Sequence, residues 1–267
     1  MEIIGYIASL LVGLSMGLIG GGGSILTVPI LVYLFHIEPL TATSYSLFIV
    51  GSTSLLGAGI KVYEKNVDLR MALLFGIPDL IGVITMRTYL FPPIPGNLFH
   101  LGHHMVTKGE CVLVLFSILM LLSARLILRK MDTLHDIQTH KVKSNKYFIL
   151  LGFLTGLLTG MVGVGGGFII IPILVLWGRL TMKDAVGTSL IIIAAKSLMG
   201  FFADKFNFDM QHHLIYWISG LALVGLVFGI LLHNKIHARY LQKGFAWLVV
   251  GVGSYMLITT LNTILFH

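Results

Sequence analysis

Charged residues are scarce in this sequence. Only 11% of its 267 residues are Asp, Glu, Lys or Arg, whereas 56% are hydrophobic. Soluble domains carry about 25% charged residues because their surface faces water. A chain this poor in charge cannot cover such a surface, so the composition predicts a protein embedded in a lipid bilayer.

Cysteine and the short motifs of soluble enzymes are also lacking. Cys111 is the single cysteine, which excludes an intrachain disulfide and a metal site built from cysteines. There is no HExxH and no CxxC, and the glycine run ends at Ser24 without the lysine of a Walker motif. The neighbouring histidines His103 and His104, and likewise His212 and His213, point in different directions on any regular element. We therefore predict no metal, no cofactor, no ATP-driven step and no enzymatic activity.

The formal net charge of +7 could indicate a nucleic-acid partner, but the basic residues lie in short loops between apolar runs. That placement is typical of the cytoplasmic loops of membrane proteins, and we predict no nucleic-acid binding. The first apolar segment follows Glu2 and has no basic start, so we do not expect a cleaved signal peptide.

Ten apolar segments can be distinguished along the chain. They cover residues 3–19, 24–35, 43–62, 69–90, 111–129, 147–162, 168–178, 185–203, 213–232 and 244–264. Crossing the hydrocarbon takes about 20 helical residues, which the second and seventh segments do not reach. Each of these two follows a glycine-rich break, which predicts a helix pair bent at the glycines with the break at membrane depth.

The basic loops predict the orientation. The loop after the fifth segment holds Arg129, Lys130, Lys141, Lys143 and Lys146, so it should be cytoplasmic, with both termini extracytoplasmic. The loop from 204 to 209 then lies outside. Because each half has an odd number of segments, the halves should be inverted repeats, 1–130 and 147–267, joined by a cytoplasmic linker at 131–146. The proline-containing stretch from Phe91 to Lys108 should form a non-helical cap on the outer face.

One unusual element occurs twice. The stretch from Gly17 to Leu31, GLIGGGGSILTVPIL, returns 143 residues later from Gly160 to Leu174 as GMVGVGGGFIIIPIL. The glycines and the proline of the two copies align. The repetition predicts two halves that face each other across a central site.

The glycine breaks are the first candidates for substrate binding. Glycine permits close approach of a ligand to the backbone, and the helix start beyond each break offers unpaired N–H groups to an anion. The alternative is that the glycines only allow close helix packing, which we favour for the small residues before each break. The candidate binding residues are Gly20, Gly21, Gly22, Gly23, Ser24, Gly163, Gly165, Gly166 and Gly167.

Hydroxyl groups near the starts of the third and eighth segments are further candidates. These are Thr43, Ser44 and Ser46 in the first half, and Thr188 and Ser189 in the second. They could cap the helix N-termini or complete an anion cage.

Three charged residues lie inside apolar segments. Lys196, in the middle of the eighth segment, needs a counter-charge, water or protein around it. We assign it to substrate binding or coupling, and the alternatives are a structural ion pair or a neutral, deprotonated amine. Asp79 could pair with Lys196 or carry a proton, and a structural ion pair is the alternative. Arg87 should snorkel towards the outer interface. Asp79 and Arg87 are candidates for gating or coupling.

With its doubled GxxGxGG motif, each copy followed by a proline, and the run Ala185–Ser189, the chain resembles the sulfite exporter TauE/SafE family of permeases. The resemblance implies an inner-membrane transporter for sulfur-containing anions such as sulfite, thiosulfate or sulfonates. It also implies that the glycine breaks and the Thr/Ser clusters line the path.

We therefore expect an all-α polytopic membrane protein with two inverted five-segment repeats and glycine-broken short helices in each half. Its expected function is secondary transport of a small sulfur anion by alternating access. The alternative is a transporter of another small organic anion or ion. Small-residue seams are as compatible with a homodimer as with packing within one chain.

Overall fold

The structure is a computed structural model that describes residues 2–101, 104–133, 145–204, 212–233 and 238–266. Ten α-helices lie within these ranges: α1 (Glu2–Ile19), α2 (Thr27–Tyr33), α3 (Pro39–Tyr63), α4 (Leu69–Thr85), α5 (Lys108–Thr133), α6 (Asn145–Val162), α7 (Gly167–Leu176), α8 (Met182–Asp204), α9 (His212–His233) and α10 (Ala238–Phe266). A 3-10 helix, Gly21–Leu26, precedes α2, and a π-helical turn, Met86–Leu90, extends α4.

Seven helices in the described ranges are long and apolar enough to cross a membrane. They are Pro39–Tyr63, Leu69–Leu90, Lys108–Leu126, Asn145–Val162, Met182–Asp204, His213–Leu232 and Lys243–Leu265. The apolar helices Ile3–Ile19, Gly21–Tyr33 and Gly167–Leu176 are shorter. The chain is a multi-pass membrane protein, and the predicted all-α fold class is confirmed.

The distribution of polar and apolar side chains is that of a protein solvated by lipid. On α4, Leu73, Ile77 and Ile81 recur every four residues and are exposed, whereas Asp79 is fully buried. Such an apolar outer face is stable in a bilayer but not in water. The middle of α4 therefore directs its ionisable residue, Asp79, towards the interior of the bundle.

The chain reverses direction at the first glycine break. Gly20 has a φ of 81°, which is open to glycine but strained for other residues. After the break, a Cβ on Gly23 would contact Ser15 of α1, and the ring of Phe35 lies 5.4 Å from that of Tyr6. Residues 21–33 thus run back along α1 as a hairpin, as predicted for a helix pair bent at the glycines.

Equivalent residues of the two halves make equivalent contacts with the opposite half. A Cβ on Gly13 of α1 would overlap the backbone of Ala222 in α9, and a Cβ on Gly156 of α6 would overlap the backbone of Asp79 in α4. The residues of the two pairs are related by the same offset: Gly156 lies 143 positions after Gly13, and Ala222 lies 143 positions after Asp79. The absent side chains let the helices touch along their backbones, as membrane helices do at small residues.

The segment between α4 and α5 contains a short β-hairpin. Strands β1 (Asn97–Leu101) and β2 (His104–Thr107) pair antiparallel, after the proline-containing stretch that excludes a helix. The Lys108 ammonium donates to the carbonyl oxygen of Phe91 and lies 3.8 Å from the centre of its ring. These contacts hold both ends of the predicted cap together.

Helices extend into the predicted linker from both sides, since α5 continues to Thr133 and α6 begins at Asn145. The central part of the linker, 134–144, lies outside the described residues, as does His103. Residues 205–211, which include most of the predicted outer loop 204–209, also lie outside them.

Candidate functional site

The two glycine breaks meet in the interior of the bundle. A Cβ on Gly167 would overlap the backbone of Gly21, so the first break contacts the start of α7 directly. Gly163 and Gly166 adopt φ values of 73° and 71°, the left-handed conformation that favours glycine. All residues from Gly20 to Gly23 and from Gly163 to Gly167 are buried. Two segments 143 residues apart in the sequence therefore form one buried junction.

Ser24 lies within this junction. Its Oγ donates to the carbonyl oxygen of Gly21 at 2.7 Å, and it lies 3.5 Å from the position that a Cβ on Gly165 would occupy. The hydroxyl oxygen thus faces the opposite break, whereas the hydroxyl hydrogen is donated within its own 3-10 helix.

Lys196 reaches the second break from the middle of α8. Its Nζ would lie 2.9 Å from a Cβ on Gly166, the residue that precedes α7. The side chain is only 1% exposed. The ammonium and the first N–H groups of a helix, two kinds of donor that favour an anion, thus lie side by side in surroundings of low polarity.

Asp79 and Thr159 are the partners of Lys196. Its Nζ lies 2.9 Å from Oδ2 and 3.2 Å from Oδ1 of Asp79, which is fully buried in α4. It also donates to Oγ1 of Thr159 at 2.9 Å, and that hydroxyl donates to the carbonyl oxygen of Thr155. The ion pair, one of the two alternatives for Asp79, is therefore present.

Arg87 does not snorkel towards the surface, and that prediction is wrong. The guanidinium is 1% exposed and forms an ion pair with Asp204 at the end of α8. It also donates to the carbonyl oxygen of Gly160 at 2.5 Å and to Oγ1 of Thr43 at 3.1 Å. Ser44 completes the cluster by donating to Asp204 at 2.6 Å. Arg87 is buried because its planar fork finds acceptors on α3, α6 and α8 at once.

The hydroxyl-bearing residues lie inside their helices and do not cap them. α3 begins at Pro39 and α8 at Met182, so N-capping is excluded for Thr43, Ser44, Ser46, Thr188 and Ser189. Thr181 caps α8 instead: its Oγ1 accepts from the backbone N–H of Asp184 at 3.2 Å and donates to the Asp184 carboxylate at 2.6 Å.

The structure separates these hydroxyls. Thr43 packs on Gly163 at the second break, and Ser46 is buried without a hydrogen-bond partner among the described residues. Thr188 accepts from the backbone N–H of Asp68 at 2.9 Å, which ties it to the loop before α4. Ser189 donates to the carbonyl oxygen of Val186 within its own helix.

Asp204 and Thr159 were not singled out by the sequence analysis. A signal for Asp204 was present: Asp79 and Arg87 are eight residues apart, and so are Lys196 and Asp204, with the opposite order of charge. Two helices running in parallel with this spacing can form two ion pairs about 12 Å apart. This is what α4 and α8 do. Thr159 carries no comparable signal.

We expect the Arg87→Met variant to lose about 3–5 kcal/mol of stability, because Asp204 would remain as a buried charge without its partner. The double variant Arg87→Met/Asp204→Asn should recover part of the loss. The thermal unfolding midpoint in detergent measures both. Lys61→Met, which breaks an exposed ion pair with Glu64, is the matched control and should cost at most about 1 kcal/mol. Equal midpoints for Arg87→Met and Lys61→Met would contradict the assignment.

The segments that form the glycine breaks and the buried ion pairs also match a known protein family. The model of the family described as sulfite exporter TauE/SafE matches residues 6–256, nearly the whole chain. The chain belongs to the sulfite exporter TauE/SafE family. Both glycine breaks and all four residues of the two ion pairs lie within the matched range, which therefore includes the whole candidate site.

Curated relatives of this TauE/SafE protein are named as transporters. A probable membrane transporter protein of Xylella fastidiosa (strain 9a5c) is 28% identical over 259 residues, covering 92% of this chain and 91% of the relative. The probable membrane transporter protein YdhB of Bacillus subtilis is 30% identical over 194 residues, 71% of this chain and 73% of its own. A probable membrane transporter protein of Methanocaldococcus jannaschii is 27% identical over 272 residues, covering 96% and 94%. No solved structure matches significantly.

The family and these relatives identify the chain as a membrane transporter and point away from an enzyme. No group of three or more His, Cys, Asp or Glu side chains that could hold a metal ion occurs in the described part of this TauE/SafE protein.

Proposed function

We propose that this TauE/SafE protein is a secondary transporter, without enzymatic activity, for small sulfur-containing anions such as sulfite, thiosulfate or sulfonates. One observation carries the proposal: the buried ammonium of Lys196 lies beside Gly166, where α7 begins and the two glycine breaks are in contact. An anion there would meet the ammonium and the first N–H groups of a helix. Sulfur oxyanions and sulfonates present several acceptor oxygens, which suit convergent donors.

The proposed cycle is alternating access between two inverted repeats, 1–130 and 147–267. The reciprocal contacts of α1 with α9 and of α6 with α4 support this, because equivalent surfaces in both halves could exchange roles as one half rocks against the other. The two breaks would then lie near the bilayer midplane. A homodimer is not required for this site, since one chain supplies both breaks and Lys196.

We place the transporter in the inner membrane with both termini extracytoplasmic, on the basis of its basic loops. In a bacterial host, alkaline phosphatase fused after residue 267 should be active, whereas green fluorescent protein at the same position should not fluoresce. The matched control is the same pair of fusions within 134–144, where the pattern should reverse. Fluorescence at the C-terminus would contradict the orientation.

Flux measurements in proteoliposomes test the substrate class. We expect the purified protein to take up radiolabelled thiosulfate, and we expect unlabelled sulfite or a sulfonate to compete. Taurine and acetate test how far the site accepts a zwitterion or a carboxylate. Uptake of acetate without competition by any sulfur anion would favour the alternative, a transporter of other organic anions. No uptake of any sulfur anion would end the proposal.

A further inference from the structure

Asp79 occupies the position that an anion would need. Both of its carboxylate oxygens lie within 3.2 Å of the Lys196 ammonium, and Thr159 takes another of the three N–H donors of that group. An anion that pairs with Lys196 must therefore displace the carboxylate. This reasoning rests on the anion site proposed above.

Once displaced, Asp79 would have no other cation in contact among the residues that the structure describes. On α8, Lys196 is the charged group that faces it. On α6, Gly156 packs against the backbone of Asp79 and has no side chain that could carry a charge. In the π-helical turn that extends α4, Arg87 lies eight residues further along and is held by Asp204. A carboxylate that is fully buried and unpaired is strongly disfavoured as an anion, and a proton removes this cost.

We propose that Asp79 is the proton-binding group of the transport cycle, so that the anion crosses the membrane together with a proton. The anion binds to the Lys196 ammonium, the displaced Asp79 carboxylate takes a proton from the solution on the same side, and both leave together on the other side. Lys196 stays protonated throughout. On release the ion pair re-forms, so the site carries no net charge either with or without a singly charged substrate.

The other half of the molecule supports a single proton-binding group per cycle. The residues equivalent to Lys196, Thr159 and Asp79 are Thr53, Met16 and Ala222, each 143 positions earlier or later. Thr53 donates to the carbonyl oxygen of Ile49 at 2.7 Å and lies 3.5 Å from the sulfur of Met16. The geometry is repeated there, but the charges are not.

Proteoliposomes containing a pH-sensitive dye test the proposal. Thiosulfate is the probe because its charge does not change near neutral pH, so a proton signal cannot come from the substrate. With the membrane potential clamped at zero, thiosulfate added outside the wild-type protein should acidify the lumen. For one proton per anion, an outside pH lower by about one unit should drive about tenfold accumulation.

The Asp79→Asn variant should lose most of the accumulation driven by a pH gradient and most of the acidification. Its exchange of thiosulfate between the two sides, measured at the same pH on both, should fall less. Asp79→Glu should restore part of the acidification. Glu64→Gln, which changes a carboxylate to an amide in an exposed ion pair, is the matched control and should behave as wild type.

Thiosulfate uptake by the wild-type protein without acidification, or full acidification in Asp79→Asn, would overturn this inference and leave the proposed function standing. No uptake of thiosulfate, sulfite or a sulfonate by the wild-type protein would overturn both. The wild-type measurement decides the matter even if the Asn variant fails to fold.

Discussion

Replacing Lys196 by Met should reduce uptake of sulfur anions by about 100-fold or more. Truncation of one partner in a buried, hydrogen-bonded charge pair costs about 2–5 kcal/mol of binding, and about 3 kcal/mol corresponds to roughly 100-fold. Met has a similar length and fills the space of the Lys196 stem, so the decrease in uptake measures the effect of removing the ammonium. Initial rates of thiosulfate uptake in proteoliposomes measure it.

A loss of folding must be distinguished from a loss of binding. Met at position 196 leaves Asp79 buried without its partner, which is expected to cost about 3–5 kcal/mol of stability. The double variant Asp79→Asn/Lys196→Met removes both charges and should recover much of the unfolding temperature without recovering uptake. Uptake that returns together with stability would show that Lys196 has a structural role alone.

The Gly167→Ala variant should separate the two glycine breaks. Gly167 opens α7, where alanine is the better helix former, so local propensity alone favours the substitution. The added Cβ, however, would overlap the backbone of Gly21, which cannot move by changing a rotamer. We expect a loss of at least about 1–3 kcal/mol of stability and a larger relative loss of uptake, because the junction itself is displaced.

Gly59→Ala is the matched control. Gly59 lies within α3 with no atom within 4 Å of a Cβ, so alanine should be neutral or should stabilise the helix by about 0.5–1 kcal/mol. Unfolding temperature and thiosulfate uptake are measured on both variants. If Gly167→Ala matches Gly59→Ala in both, contact between the breaks is not needed for transport.

The helices could be predicted from the sequence because each long apolar run has only one stable form in lipid. The predicted segment 3–19 corresponds to α1 at Glu2–Ile19, and the predicted break corresponds to the turn at Gly20. Helix starts were less accurate. α3 begins four residues before its predicted start because Pro39 is accommodated in the first helical turn.

The sequence shows which charged residues lie within apolar segments, but it does not show which residues they pair with. Lys196 and Asp79 are conspicuous within apolar segments, and their pairing was one of the alternatives. Arg87 was placed at the interface because an arginine near a helix end ordinarily reaches water. Its burial depends on Asp204, assigned to an outer loop, and on acceptors from three helices. Such a cluster is set by tertiary packing and has no local pattern.

The contact between the breaks was predicted from a global feature. The 143-residue repeat indicated that two equivalent elements face each other, and Gly21 and Gly167 do touch. The repeat could not indicate the asymmetry in bonding. Thr53 lies 3.5 Å from the sulfur of Met16 where Lys196 donates to Thr159, and this difference follows from side chains that the repeat does not share.

A crystal structure with selenite most directly tests the central claim that an anion binds where Lys196 meets the second break. Selenite is the heavier analogue of sulfite, and its selenium gives an anomalous peak that marks the anion. The account predicts a peak within contact distance of the Lys196 ammonium and of the backbone N–H groups that follow Gly166, with Asp79 turned away. A peak elsewhere, or no peak at Lys196 in a protein that transports selenite, would contradict it.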